Sequence, residues 1–298
     1  NVLQLQVKKA ALTRARDIFD AAVRPHLKAG LIQRLASRKI PCEQLRSPHG
    51  NFFVMRAGSS TDETKADSSD LAWVSVDDME TWCDFRDIFD DMGIVDAVAP
   101  LVDTDAAVRL YSSFFVIRSR CAAPNLHADW PDATGVNAFT LLTPLEEYTT
   151  DDFQLLYEDS VGLASRRTTG EANLDGLRRY RYSLGEALVF GSHFMHSTEP
   201  GSAVGGASAP HAFLCFTFGS DRPGFFEDHI APTIGGYQSR FLVHADGSVR
   251  LTEIGEYLAA RDAGAEADVE AMIDREMRTE ALPEARGQGA RVEEARLR

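Results

Sequence analysis

Cys121–Trp130 reads CAAPNLHADW and supplies a histidine and a carboxylate two positions apart, His127 and Asp129. On a strand or its extended exit, residues i and i+2 point to the same side, so both can reach one ion. A third ligand must come from elsewhere. Gly185–Pro200, GEALVFGSHFMHSTEP, offers it, because an apolar strand there runs into His196. Two histidines and one carboxylate bound on one face of a metal leave the opposite positions open, an arrangement that suits Fe(II) oxygen chemistry.

The same tripeptide recurs at His244-Ala245-Asp246, and context separates the two copies. His127 and Asp129 follow a strand-like run and precede two more such runs and a further histidine. His244 leads into Gly247-Ser248, a turn signature, and no histidine lies downstream of it. The second copy is therefore expected in a surface hairpin turn.

Working outward, the sequence after Pro100 is β in character. Val108–Ser119, Asn137–Leu142, Phe153–Tyr157, Tyr180–Phe190 and Ala212–Phe218 are short runs rich in aromatic and β-branched residues, separated by turn-forming segments. Several short strands without alternating helices predict a sandwich or barrel. The glycine-rich Glu199–Pro210 is expected to join two of them. Upstream, from about Val7 to Lys39, apolar residues recur at helical spacing, with Pro25 placed to break or kink the run. Asn51–Ala57 reads as a strand, and the polar Gly58–Asp70 as a surface loop. Ser75-Val-Asp-Asp78 has the form of a capping box, and Met79, Trp82, Phe85, Phe89 and Met92 make an apolar stripe, which predicts a helix from about Val76 to Met92. Downstream of Thr252 a helix is expected over Ala267–Leu282, with a loose tail after Pro283.

The 298 residues carry a net charge of -14, which disfavours a nucleic-acid or anionic-membrane partner, since both depend on a basic surface. No apolar run approaches the roughly 18 residues of a membrane span, and no signal-peptide core is visible, so a cytoplasmic location is expected. Cys42, Cys83, Cys121 and Cys215 show no CxxC spacing, which argues against a zinc cage or a disulfide scaffold.

The order strand, His-x-Asp, two strands, Gly-Glu-Ala-Leu-Val-Phe, then His-Ser-Thr and another strand resembles the Fe(II)/2-oxoglutarate-dependent oxygenases, in particular their phytanoyl-CoA-hydroxylase-like branch. Gly185, Glu186, Phe190 and His196 carry that likeness in the second half of the motif, and it covers roughly Val108 to Gly219. The resemblance implies an α+β chain with a double-stranded β-helix core: a helical support region at 1–107, the jelly-roll catalytic core at 108–220 and a partly helical extension at 221–298, all one domain. It implies Fe(II) on His127, Asp129 and His196, with 2-oxoglutarate and O2 as cosubstrates, and hydroxylation of a small molecule or peptide. The competing His193 sits three residues from His196, and the family places its ligand before a small hydroxyl residue, as in His196-Ser197-Thr198. Asn125 and Trp130 flank the ligands and are candidates to line the pocket.

One departure from the family concerns the far carboxylate of 2-oxoglutarate. The family binds it with a basic residue, usually arginine, at the start of the strand after the distal histidine, and here that strand begins with His211. A histidine gives a weaker, pH-dependent partner without a bidentate fork. Arg118 and Arg120, on one face of the strand leading to the metal motif, are candidates to compensate, as is Arg181. Two rival readings remain open at this level: an iron oxygenase or cupin-like enzyme with a different cosubstrate, and a jelly-roll binding module without catalysis.

Overall fold

The computed structural model describes residues 2–38, 41–57, 70–148, 152–159, 176–203, 209–236 and 238–262. The expected helix at 267–282, the loop at 58–69 and the centre of the loop at 199–210 lie outside them.

The aromatic and β-branched run beginning at Val108 forms β5 (Val108–Cys121), the long strand of a nine-stranded antiparallel sheet. Around it pair β1 (Val2–Gln6), β9 (Glu186–Phe190), β6 (Ala138–Pro144), β12 (His211–Ser220), β4 (Asp70–Val76), β3 (Gly50–Ala57) and β2 (Cys42–Ser47). Their order across the sheet is β1-β9-β6-β12-β5-β4-β3-β2, with the short β11 (Gly201–Ser202) also on β5. A smaller sheet has the order β10-β7-β8, from His196–Thr198, Leu155–Glu158 and Leu177–Tyr180. An isolated bridge between His127 and His196 adds the His127 segment to its edge.

The chain therefore steps from one sheet to the other: β5 large, His127 small, β6 large, β7 and β8 small, β9 large, β10 small, β12 large. That alternation, with β9-β6-β12-β5 facing β8-β7-β10-His127, is a double-stranded β-helix, the jelly-roll core expected from the sequence. The two faces of the large sheet follow the strand period of two. Phe115 and Ile117 of β5, with Leu214, Phe216 and Phe218 of β12, pack against the helices in the main core. The alternate residues Phe114 and Val116, with Phe213 and Cys215, join Leu155, Tyr182 and Phe194 between the sheets.

Several expectations are corrected. The predicted strand Tyr180–Phe190 is two strands in different sheets, divided by a turn in which Glu186 N–H donates to the Ser183 carbonyl and Gly185 takes φ +91°. A continuous aromatic run does not show a change of sheet, but the left-handed glycine does. Region 1–107 is not simply a helical support: besides β3, which contains the expected strand at 51–57, it supplies β1, β2 and β4. The capping box is also displaced. Ser75 lies in β4 and its hydroxyl donates to the Gln238 carbonyl, while Asp78 caps the helix Met79–Met92 by accepting from Thr81 N–H. Near the N-terminus the helix Lys9–Ile18 passes through a wide π turn, Phe19–Val23, directly before Arg24–Lys28, whose first turn holds Pro25. The proline lacks a backbone N–H, and the helix widens where that hydrogen bond is missing.

The His244 copy forms the predicted turn between β13 (Phe241–Val243) and β14 (Val249–Leu251), with Gly247 N–H donating to the His244 carbonyl. His244 itself is buried, not superficial: its Nδ1 lies 3.0 Å from Glu227 and its ring edges onto Phe226. No helix among the described residues is long and apolar enough to cross a membrane.

Candidate metal centre

His127 and His196 are direct cross-strand partners that exchange both backbone hydrogen bonds, His127 N–H to His196 O at 3.0 Å and His196 N–H to His127 O at 2.9 Å. Opposed residues on an antiparallel pair project to the same face, and Asp129, two residues beyond His127, projects there too. The fold thus converts two distant sequence motifs into one cluster. Asp129 Oδ1 lies 3.6 Å from the Nε2 of each histidine, and one ligand atom from each of the three residues falls within 4.8 Å of the others.

The donor set fits a metal. His127 Nδ1 donates to the Asn125 carbonyl at 2.8 Å and His196 Nδ1 to the Phe194 carbonyl at 3.1 Å, which leaves both Nε2 lone pairs turned toward Asp129. Ligand atoms about 2.1 Å from one ion are separated by roughly 3 to 4 Å, so the 3.6 Å spacing needs little adjustment. Burial lowers the His196 pKa to about 4, against the pull of Asp129, so its imidazole is neutral at neutral pH, as metal ligation requires. His127 is nearly half exposed and marks the open side of the cluster. His193 belongs elsewhere, with its Nδ1 2.8 Å from Asp132 Oδ1.

The other end of the space between the sheets holds Arg118. This arginine is 5% exposed, and Nη1 donates to the Phe153 carbonyl at 2.8 Å and to the Tyr182 hydroxyl at 3.3 Å. Its guanidinium carbon sits 4.3 Å from the centre of the Phe213 ring. Among the described residues no carboxylate is within ion-pair distance of it, and its Nε has no hydrogen-bond partner. Burial raises the pKa values of Tyr182 and Cys215, and both groups feel the Arg118 and the Asp129 charges.

His211 is the register partner of Arg118 on the neighbouring strand and is 3% exposed. Its imidazole stacks on Tyr148 at 3.8 Å, and burial, then the Arg118 charge, lowers its pKa to about 4. The lowered pKa favours the neutral imidazole at His211, whereas the guanidinium of Arg118 keeps its charge. Arg120, half-buried two positions on, pairs in register with Asp70 and Ser202, and Arg181 is exposed beyond β8. Asn125 is exposed and contributes its backbone, with N–H donating to Ser197 Oγ as well as its carbonyl orienting His127. Trp130 packs in a separate cluster with Tyr111, Phe226 and Ile230, and its indole N–H donates to Thr140.

Sequence reasoning missed Tyr182, Phe213, Cys215, Tyr148 and Phe153. The alternation His211-Phe213-Cys215 along β12 was a signal for two of them. Among the described residues Phe153 is one of two non-glycine residues with positive φ, at 59°, and that backbone presents its carbonyl to Arg118.

No protein-family model matches the sequence, and none of the curated proteins does. Among solved structures the chain is similar to AviO1 from Streptomyces viridochromogenes Tue57, at 14% identity over 73% of this chain and 89% of that one, with a TM-score of 0.44. It is also similar to HygX from Streptomyces hygroscopicus with nickel, 2-oxoglutarate and hygromycin B bound, at 14% identity over 57% and 82%, with a TM-score of 0.38. A third is the non-heme monooxygenase ThoJ with nickel, at 17% identity over 47% of this chain and about half (54%) of that one, with a TM-score of 0.35. Likenesses this remote do not fix the activity of the chain.

Proposed function

We propose that this protein is a non-haem Fe(II) oxygenase that uses 2-oxoglutarate and O2 to hydroxylate a small molecule or peptide. The observation that carries the reading is a pair of features between the two sheets: three convergent donors, His127, Asp129 and His196, and a buried guanidinium, Arg118, without an anionic partner among the described residues. A buried charge left unpaired is costly, so Arg118 is best accounted for by an anionic ligand that completes it.

The metal, when bound, supplies activation of O2 coupled to oxidative decarboxylation of 2-oxoglutarate to succinate and CO2. The residues of this chain do the rest. Arg118 holds the far carboxylate, with its orientation fixed by the Phe153 carbonyl and the Tyr182 hydroxyl. Phe213, Phe190, Phe194 and Leu155 keep water from the space between the sheets, which strengthens the charge interaction there. The exposed edge of His127 leaves substrate an approach from solvent.

The test is succinate production from 2-oxoglutarate by protein supplied with Fe(II) in air. The wild type should release succinate, and Asp129→Ala and Arg118→Met should not. Iron-dependent oxidation without succinate would favour a different cosubstrate, and absence of bound iron, nickel or manganese would favour a binding module.

A further inference from the structure

His193 stands apart from the three donors, yet it has the second positive φ found at a non-glycine residue among the described residues, 65°. It lies in the turn that carries the chain from β9 to β10, directly before Phe194, whose carbonyl accepts from His196 Nδ1. The backbone angle of His193 therefore helps to aim the group that orients one metal ligand. Asp132, at 2.8 Å from its ring, stands three residues after Asp129 on the other ligand-bearing segment. A second tie joins the same two segments: the fully buried Ser192 donates to the Gly135 carbonyl at 2.7 Å.

A hydrogen-bonded pair this open, with the His193 side chain 37% exposed and Asp132 80%, adds little to stability, and a left-handed angle at a residue bearing a Cβ is strained. Fold stability alone does not account for keeping both. We propose that the His193–Asp132 pair is a latch that fixes Asp129 against His196, so that the three donor atoms are arranged before the metal arrives. The proposal rests on the metal reading and makes His193 and Asp132 positioning residues, neither of them touching the ion.

The experiment is a calorimetric titration of the metal-free protein with Ni(II), alongside its thermal unfolding. Asp132→Ala and His193→Gly should weaken Ni(II) binding severalfold, about the most that a pair this exposed can supply. Asp132→Ala should leave Tm within about a degree of the wild type, since the residue is exposed, and glycine accepts the turn's backbone angle. Asp132→Asn keeps an oxygen at the same place and should retain the wild-type affinity. Equal Ni(II) affinity in the wild type, Asp132→Ala and His193→Gly would overturn the latch alone. Asn behaving like Ala at position 132 would also overturn it, by showing that long-range charge is what matters. A wild type that takes up no Ni(II) at all would instead bring down the metal centre and the latch with it.

Discussion

At Arg118 the physics of a single residue decides what the cavity wants. With 5% exposure and no carboxylate within ion-pair distance among the described residues, it holds a charge that an apolar residue of similar length would not. Arg118→Met should therefore leave the apo protein as stable as the wild type or more so, while lowering 2-oxoglutarate affinity by several kcal/mol, roughly 2 to 5, in a binding titration. The ligand positions behave differently: Asp129→Ala or His196→Ala should abolish metal uptake with the fold intact by circular dichroism. His193→Ala should be milder, and replacing the buried His244 should lower stability without touching metal content. His211 gives a pH signature with a definite sign. Its folded pKa of about 4 lies below the unfolded value of about 6.5, so the unfolded chain takes the proton first. Its contribution to stability is complete above pH 6.5 and is lost as pH falls toward 4, on the order of 3 kcal/mol. In urea melts across that window His211→Phe should flatten the pH dependence, and 2-oxoglutarate affinity should not change between pH 7 and 8.

The elements that bear the site differ in how far the sequence announces them. β5, β6 and β12 were legible because each is a run of aromatic and β-branched residues whose alternate members are buried on different faces. The His127–Asp129 spacing, with His196 at the end of an apolar strand, made the metal cluster legible as well. Arg118 was legible only as one of several basic candidates, because its pairing with His211 depends on the register of strands far apart in the chain. β1 and β2 were missed because they are short and mixed in polarity, and Val2 at the sheet edge is exposed. The helix start was misread because a serine in a strand and an aspartate at a cap satisfy the same local pattern. Asp78→Ala should cost about 1 kcal/mol by denaturant unfolding through loss of the bond to Thr81. Phe115, buried among Phe19, Phe52 and Phe85 with ring centres 5.1 to 6.0 Å apart, couples β5 to the helices. Phe115→Ala should cost about 3 to 5 kcal/mol in the same assay.

Across the whole molecule, the large sheet separates two tasks. Its outer face, packed on the helices, holds the main core, and its inner face packs against the small sheet, where His127, Asp129 and His196 converge and Arg118 is buried against Phe213 and Tyr182. Ligands that enter such a space bind the folded state alone, so metal with 2-oxoglutarate at about a hundred times its Kd should add roughly 2.7 kcal/mol of stability. In the proposed function the two groups act on one ligand, which makes their binding interdependent. The most direct test is therefore calorimetric titration of 2-oxoglutarate, without oxygen, into protein loaded with Fe(II) and into the same protein stripped with chelator. One equivalent should bind to the loaded form, and affinity should fall by at least tenfold in the stripped form. No binding to the loaded form, or equal binding to both, would contradict the account.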